Sequence, residues 1–354
     1  MKVIKCYMPD VNFVITIPDK YYEQGYKKIF ESIIKYEKTV DRNINIEYEV
    51  NKQLFDEYKD KINLSNGKIY NTFKDQTHKE LIEENAKYYL VDTEEYICVK
   101  YDDFNFKVLV QENNDSTLNW IVRIIREIYL REEEDKSYNF MHGTGVEING
   151  KGILILGSSG SGKTTLAVKL LEYRKHKYFF SNDRMFINKE GYMNYFPLQM
   201  TFAMGTVNNN NNLDSYFRKT RILEKKKKIK YEDADNKTDC NVPLTDIANI
   251  FPCTEMKART KINTILFPKI DLRCKETIIE SMKKEDIIDM LLETDFTPDD
   301  TESLRNPWLR QRNISRDELL KIREEIIESV IKNVNIKKIV YGINTNAEDI
   351  LNNL

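Results

Sequence analysis

Between Gly157 and Thr165 the chain reads Gly157, Ser158, Ser159, Gly160, Ser161, Gly162, Lys163, Thr164, Thr165, a G-x-x-x-x-G-K-T pattern. Residues of these types at this spacing suit phosphate binding. Glycines let several backbone N–H groups converge on phosphate oxygens, because a Cβ would block both the turn and the close approach. Lys163 carries a positive charge to the β and γ phosphates, and the Thr164 hydroxyl is an oxygen ligand for Mg²⁺. A nucleoside triphosphate site is expected here. Two further residues could act on the terminal phosphate. Asp183 ends the aromatic run Lys177 to Phe180, where it could bind Mg²⁺ or accept a proton from an attacking hydroxyl. His142 lies just before the strand that precedes the loop and could orient Asp183 or share its proton.

The loop does this chemistry only if a strand enters it and a helix leaves it. The apolar run Gly152 to Leu156 predicts the strand, and Leu166 to Tyr173 continues as a helix whose positive dipole end faces the anion. Thr144 to Ile148 is a second strand, joined to the first by Asn149-Gly150, a strong hairpin signal. The loop strand is therefore expected to have an antiparallel neighbour, unlike purely parallel nucleotide-binding sheets. Asp183 is expected on the strand next to the loop. Further strands are predicted at 185–188, 192–198, 262–267 and 337–341, and helices at 280–292, 316–332 and 347–354.

Residues 1–135 read as an α/β domain of their own, with strands at 3–7, 13–17, 44–50, 88–91, 96–101 and 104–110. Helices are expected from Tyr21 to Tyr36 and from Thr117 to Arg131, the latter with Leu118, Ile121, Ile124, Ile125 and Ile128 on one side. The acidic run Glu132 to Asp135 reads as a solvated linker, and His78, in a polar stretch, as a surface residue. Residues 136–354 then form the nucleotide-binding domain. Within it, the asparagines 208–212 and the lysines 225–228 mark 205–241 as an exposed, mobile excursion, either a lid or a bland surface loop.

Composition narrows the function. The chain has 354 residues, 32% charged and 41% hydrophobic, with a formal net charge of −2. That balance argues against a dedicated nucleic-acid binder, whose footprint is a basic excess. Cys6, Cys98, Cys240, Cys253 and Cys274 are scattered without C-x-x-C spacing, which suits reduced buried thiols better than disulfides or zinc. No apolar run approaches a membrane span, and Asp10 and Asn12 interrupt any signal-peptide core, so a cytoplasmic protein with no membrane partner is expected. Asn236-Lys237-Thr238-Asp239 spells the N-K-x-D of GTPases, yet it follows a polar stretch and no D-x-x-G element precedes it.

M-H-G at 141–143, the run N-G-K-G-I-L-I-L-G-S-S-G-S-G-K-T-T-L-A from Asn149, and S-N-D-R at 181–184 together resemble the HPr kinase/phosphorylase family. The resemblance covers about Phe140 to Leu198. It implies a P-loop kinase domain with a mixed sheet, of the type shared with phosphoenolpyruvate carboxykinase, preceded here by an N-terminal α/β domain. His142 falls on the family's histidine before the loop, and Asp183 on the second acid of its Asp-Asp pair. The first acid is Asn182 here, which cannot accept a proton. The family's second signature is not found, which argues against HPr as substrate and against the reverse reaction. Some similar stand-alone kinases phosphorylate serine on a precursor peptide. The resemblance thus implies ATP and Mg²⁺ as cofactors and a peptide, protein or small molecule as hydroxyl acceptor. Homo-oligomerisation stays open. The rival readings are an ATP-sensing regulatory module without transfer, a kinase using phosphate or pyrophosphate as donor, and a carboxykinase-like decarboxylase, for which no metal-binding His/Asp set is found.

Overall fold

The computed structural model describes residues 1–34, 42–71, 77–91, 94–271, 273–297, 309 and 312–354. The chain is mixed α/β and divides into two compact units. One is Met1–Ser137 with Phe296–Leu320, the other Tyr138–Asp295 with Lys321–Leu354. The stretch 296–320, assigned from sequence to the C-terminal domain, belongs to the first unit. Arg312 donates to the Glu134 carboxylate at 2.8 and 3.3 Å, and Asn313 donates to Asp135 at 2.8 and 2.6 Å.

In the first unit the strands are β1 (Lys2–Met8), β2 (Val11–Ile17), β3 (Asn43–Val50), β4 (Ile69–Asn71), β5 (Thr77–Glu83), β6 (Ala86–Val91), β7 (Tyr96–Lys100) and β8 (Asn105–Val110). They form a sheet in the order β1-β2-β3-β8-β7-β6-β5-β4, parallel at β2–β3 and β3–β8. The helices are α1 (Tyr22–Phe30), α2 (Lys52–Leu64) and α3 (Asp115–Asp135). Side chains alternate across a strand, so β7 serves both faces: Ile97 and Val99 join Phe55 and Ile62 of α2, while the Tyr96 ring stacks on Trp120 of α3 at 4.1 Å. The helix α1 stops at Phe30, short of the expected Tyr36, which lies outside the described residues. The helix α2 and strands β4 and β5 have no counterpart in the sequence reading.

Two readings in this unit are corrected. Glu132, Glu133 and Glu134 are no solvated linker; they are buried in the last turn of α3, which runs on to Asp135. Cations offset their charge: Arg131 lies 2.7 Å from Glu134, and Arg42 lies 2.9 Å from Glu132. His78 is likewise buried, on β5, with Nε2 3.0 Å from the Tyr96 hydroxyl. Burial there pushes its imidazole down to about 3, so it stays neutral.

The second unit begins with β9 (Asn139–Met141), β10 (Gly143–Ile148), β11 (Lys151–Leu156) and α4 (Lys163–Leu171), then β12 (Lys177–Ser181), β13 (Met185–Ile187) and β14 (Tyr192–Tyr195). A two-stranded sheet follows, β15 (Met200–Ala203) with β16 (Asp239–Val242), and between its strands come α5 (Met204–Val207), α6 (Asn211–Thr220) and α7 (Ile222–Lys227). The remainder is α8 (Leu244–Ile250), β17 (Thr254–Met256), β18 (Arg259–Ile270), β19 (Ile278–Ser281), α9 (Lys284–Glu293), α10 (Arg316–Asn333), β20 (Asn335–Tyr341) and α11 (Ala347–Asn352). The division between units falls inside α10. The main sheet runs β17-β12-β10-β11-β18-β14-β13-β9, with β20 beside β18 and β19 beside β20.

The expected hairpin is present. Asn149 and Gly150 both take left-handed backbone (φ 52° and 74°), and β10 pairs antiparallel with β11 while β18 pairs parallel with it. The sheet is therefore mixed. The strand that leads to Asp183, β12, is not next to the loop strand: β10 lies between β11 and β12 and pairs with both. The excursion 205–241 is also corrected. Leu213, Phe217, Ile222 and Leu223 are buried, and the asparagine run supplies the α6 cap, Asn210, whose Oδ1 accepts from the Leu213 N–H. Asn210 also donates to Glu172 at the end of α4, at 2.6 Å.

Candidate active site

The mixed sheet directs β11 into a tight turn. Gly157, Gly160 and Gly162 have φ of 152°, 80° and 100°, a region L side chains rarely adopt. Gly162 is the most constrained: a Cβ there would lie 2.5 Å from the Tyr341 hydroxyl, which donates to the Gly162 carbonyl at 2.6 Å. Three positive-φ positions in six residues fold the backbone into a compact turn, a type of turn that can present successive N–H groups to an anion. Ser158, Ser159 and Gly160 are exposed at its rim. The Ser161 hydroxyl is buried with no hydrogen-bond partner, and α4 starts at the next turn.

Lys163 is 7% exposed and folds back over the turn, donating to the carbonyls of Gly157 at 2.7 Å and Ser158 at 3.0 Å. Burial pulls its amine down to about 8, with Asp183 acting in the opposite direction. The Thr164 hydroxyl donates to Asn182 Oδ1 at 3.1 Å, and the same oxygen accepts from Thr144 of β10 at 2.9 Å. Asn182 is thus the clasp between α4, β10 and the end of β12. The Thr165 hydroxyl pairs with that of Thr206 on α5 at 2.9 Å, so its side chain braces α4 against the helical insertion.

Asp183 follows β12 in left-handed backbone (φ 75°), a conformation Asp tolerates better than most residues. Its Oδ1 lies 3.0 Å from His142 Nε2 and its Oδ2 3.0 Å from Arg184 Nη1. Burial pushes the Asp183 carboxyl up, but the hydrogen bond from His142 and the positive charges of Arg184 and Lys163 outweigh it, and the net shift is downward. His142 sits between β9 and β10, and its backbone N–H donates to the Thr294 carbonyl at 2.7 Å. The intervening position of β10 explains the meeting: residues from the start of β10 and the end of β12 share one sheet edge with the end of β11.

Every residue singled out from sequence for this site lies in unit 2, and His142 and Asp183 are in direct contact. One group was missed: Arg184, read only as part of S-N-D-R, lies 3.0 Å from the Asp183 carboxylate. The fit to a magnesium nucleotide rests on oxygen chemistry. Mg²⁺ is commonly held by one or two protein oxygens plus substrate phosphates. The Thr164 hydroxyl keeps its lone pairs while donating to Asn182, and Asp183 is ionised. Among the described residues no cluster of three or more His, Cys, Asp or Glu is placed to hold an ion alone. The N-K-x-D run spans the turn before β16 and the first residue of that strand, outside the loop's sheet, with Asn236, Lys237 and Asp239 exposed.

Three of the five cysteines, Cys6, Cys98 and Cys240, are buried free thiols, whereas Cys253 is exposed and Cys274 half-buried. No described helix is long and apolar enough to cross a membrane. Compared with protein-family models and with curated proteins, the sequence matches none.

Proposed function

We propose that this chain is an ATP- and Mg²⁺-dependent kinase with a P-loop domain similar to HPr kinase. On this reading it transfers the γ-phosphoryl group to a serine- or threonine-type hydroxyl of a peptide, protein or small molecule. The observation that carries the reading is the convergence of Lys163, Thr164, Asn182, Asp183 and His142 at one end of the mixed sheet. A bare phosphate-binding turn would need only the first two.

The loop amides and the Lys163 ammonium hold the β and γ phosphates. Thr164, oriented by Asn182, and Asp183 are the residues that would hold Mg²⁺, which when bound offsets charge on the phosphate oxygens. Asp183 is kept ionised by His142 and Arg184, and His142 fixes which way the carboxylate faces. Phosphoryl transfer asks mainly for positioning and charge neutralisation, and these residues supply both.

One specific observation favours the rival in which the chain binds nucleotide without transfer: Asn182 replaces an acid, and both Asp183 oxygens are already engaged. A single experiment separates the two. The protein is incubated with Mg²⁺ and γ-labelled ATP in the presence of free serine, free threonine and serine-containing peptides. Label should move from ATP to a third molecule. Tight nucleotide binding with no release of label would leave only the binding module; in a parallel incubation with labelled pyrophosphate in place of ATP, transfer from pyrophosphate alone would reassign the donor.

A further inference from the structure

The helical insertion between β15 and β16 carries a dense basic stretch that plays no part in the site described above. From Arg218 to Lys230 the chain holds eight lysines and arginines against one acid, Glu224, in a molecule of net charge −2. Ile222 and Leu223 are buried and anchor α7, whereas all eight cations are exposed. Lys226 and Lys227 are engaged, the first by Gln199 and the Asn241 carbonyl, the second by Asp239. Lys219, Lys225, Lys228 and Lys230 form no ion pair among the described residues.

A cavity of about 230 Å³ opens within this stretch. Drug-sized ligands usually occupy roughly 300–1,000 Å³, so this one has room for about a single side chain. Buried Phe217 and Leu223 give its lining an apolar part, and Arg218, Arg221 and Tyr231 a polar one. Arg218 is held in place before any ligand arrives. Its Nε donates to the two Asp214 oxygens at 3.0 and 3.1 Å, and its guanidinium lies 4.1 Å from the centre of the Tyr231 ring. Tyr231 donates in turn to Asp214 at 2.5 Å and to Asn208 at 3.0 Å. The Asp214 contacts use Nε alone, and the fork of Nη donors has the geometry that receives a carboxylate. Arg221 turns the chain from α6 into α7 in left-handed backbone (φ 52°), a conformation uncommon for its type, and that turn brings it to the same cavity as Arg218. Backbone held in such a conformation is concentrated at binding sites.

We propose that this cavity docks an acidic peptide segment, one carboxylate side chain being held by Arg218 and Arg221 while neighbouring acids face the lysines. Recognition of acidic motifs by arginine clusters is a recurrent mode of peptide binding. A nucleic-acid strand fits less well, since it is usually held along a continuous groove with aromatic rings on which bases stack, and the Tyr231 ring already carries a guanidinium. The insertion is fastened to α4 by the Thr165–Thr206 and Glu172–Asn210 hydrogen bonds, so a docked peptide is carried on the same unit as the glycine-rich turn. The docking stands whether or not phosphate is transferred.

The test is a fluorescence-anisotropy titration of the full chain at about 0.15 M salt, where exposed charges are screened beyond roughly 8 Å. The probes are a short labelled peptide of alternating Glu and Ala, its Gln counterpart, and a single-stranded oligonucleotide of equal charge. The Glu peptide should bind at least about tenfold more tightly than the Gln peptide. Arg218→Gln and Arg221→Gln should each weaken it about tenfold or more, the scale of a charge-assisted hydrogen bond. Lys225→Gln and Lys228→Gln, at an exposed rim, should each cost under about threefold. Melting temperatures report whether the variants fold, and if Arg218→Gln loosens Tyr231, the exposed Arg221→Gln still decides. Arginine variants within about twofold of wild type would overturn the assignment, as would no binding of the Glu peptide or equal affinity for the Gln peptide. So would tighter binding of the oligonucleotide, which would make the surface a nucleic-acid site. Full competition by free glutamate at matched carboxylate concentration would overturn it too, leaving a small-molecule site.

Discussion

Asn182 accepts hydrogen bonds from Thr144 and Thr164, and at 3% exposure there is little water to replace it. Asn182→Ala leaves both hydroxyls without that acceptor. The cost should be about 1–3 kcal/mol, the range for stranding a buried polar group, read as a lower urea midpoint. Lys163 makes a prediction about pH. Burial lowers its amine to about 8, so the free protein carries the charge below that pH and loses it above. Phosphate favours the charged form, so nucleotide affinity should be flat from about pH 6 to 7.5. Above pH 8 it should fall by up to about tenfold per unit. Titrations with MgADP across that range would show it; affinity still constant at pH 9.5 would mean the lysine does not meet the phosphates. At this scale the G-x-x-x-x-G-K-T residues were legible because the chemistry demands contiguous types. The Asp183–His142 partnership was expected from sequence, but the strand order that brings the two to 3.0 Å was not.

The turn between β11 and α4 is held from outside by β20, through the hydroxyl of Tyr341. Two substitutions separate backbone strain from that tether. Gly162→Ala places a Cβ 2.5 Å from the hydroxyl in a left-handed conformation, and should abolish nucleotide binding. Tyr341→Phe removes only the hydrogen bond, and should cost about 0.5–1.5 kcal/mol of stability while leaving the loop able to bind. Calorimetric titration of both variants checks the pair, and equal losses would contradict it. The hairpin β10–β11 could be read in advance because Asn149-Gly150 specifies a tight turn locally. The stretch 205–241 could not. Its asparagines look like low complexity, and only packing shows Asn210 as a helix cap and Leu213, Phe217 and Leu223 as core.

Across the molecule, the first unit is closed by a segment that returns to it late in the chain. Arg312 reaches Glu134, and Asn313 reaches Asp135, across 178 positions of sequence. Glu134 is buried, so Arg312→Ala takes away one of the two cations that pair with it among the described residues, the other being Arg131. Breaking a buried pair in this way should cost on the order of 3 kcal/mol, seen as a lower denaturant midpoint. A surface pair would shift it by under about 1 kcal/mol, so a shift that small would contradict the burial of the cluster. The run Glu132 to Asp135 misled the sequence reading because charge runs are usually solvated, and two of the arginines that neutralise this one, Arg42 and Arg312, lie far away in the chain.

The sequence alone determined the glycine-rich turn, the strand and helix on either side of it, and the antiparallel neighbour. Each of these follows from residues within about one turn or hairpin of one another. Tertiary structure decided which strand separates the loop from Asp183, which acids are buried, and that the chain after α9 meets His142 through Thr294. Strand order and long-range ion pairing are set by how whole faces bury, and no local pattern of residues encodes that.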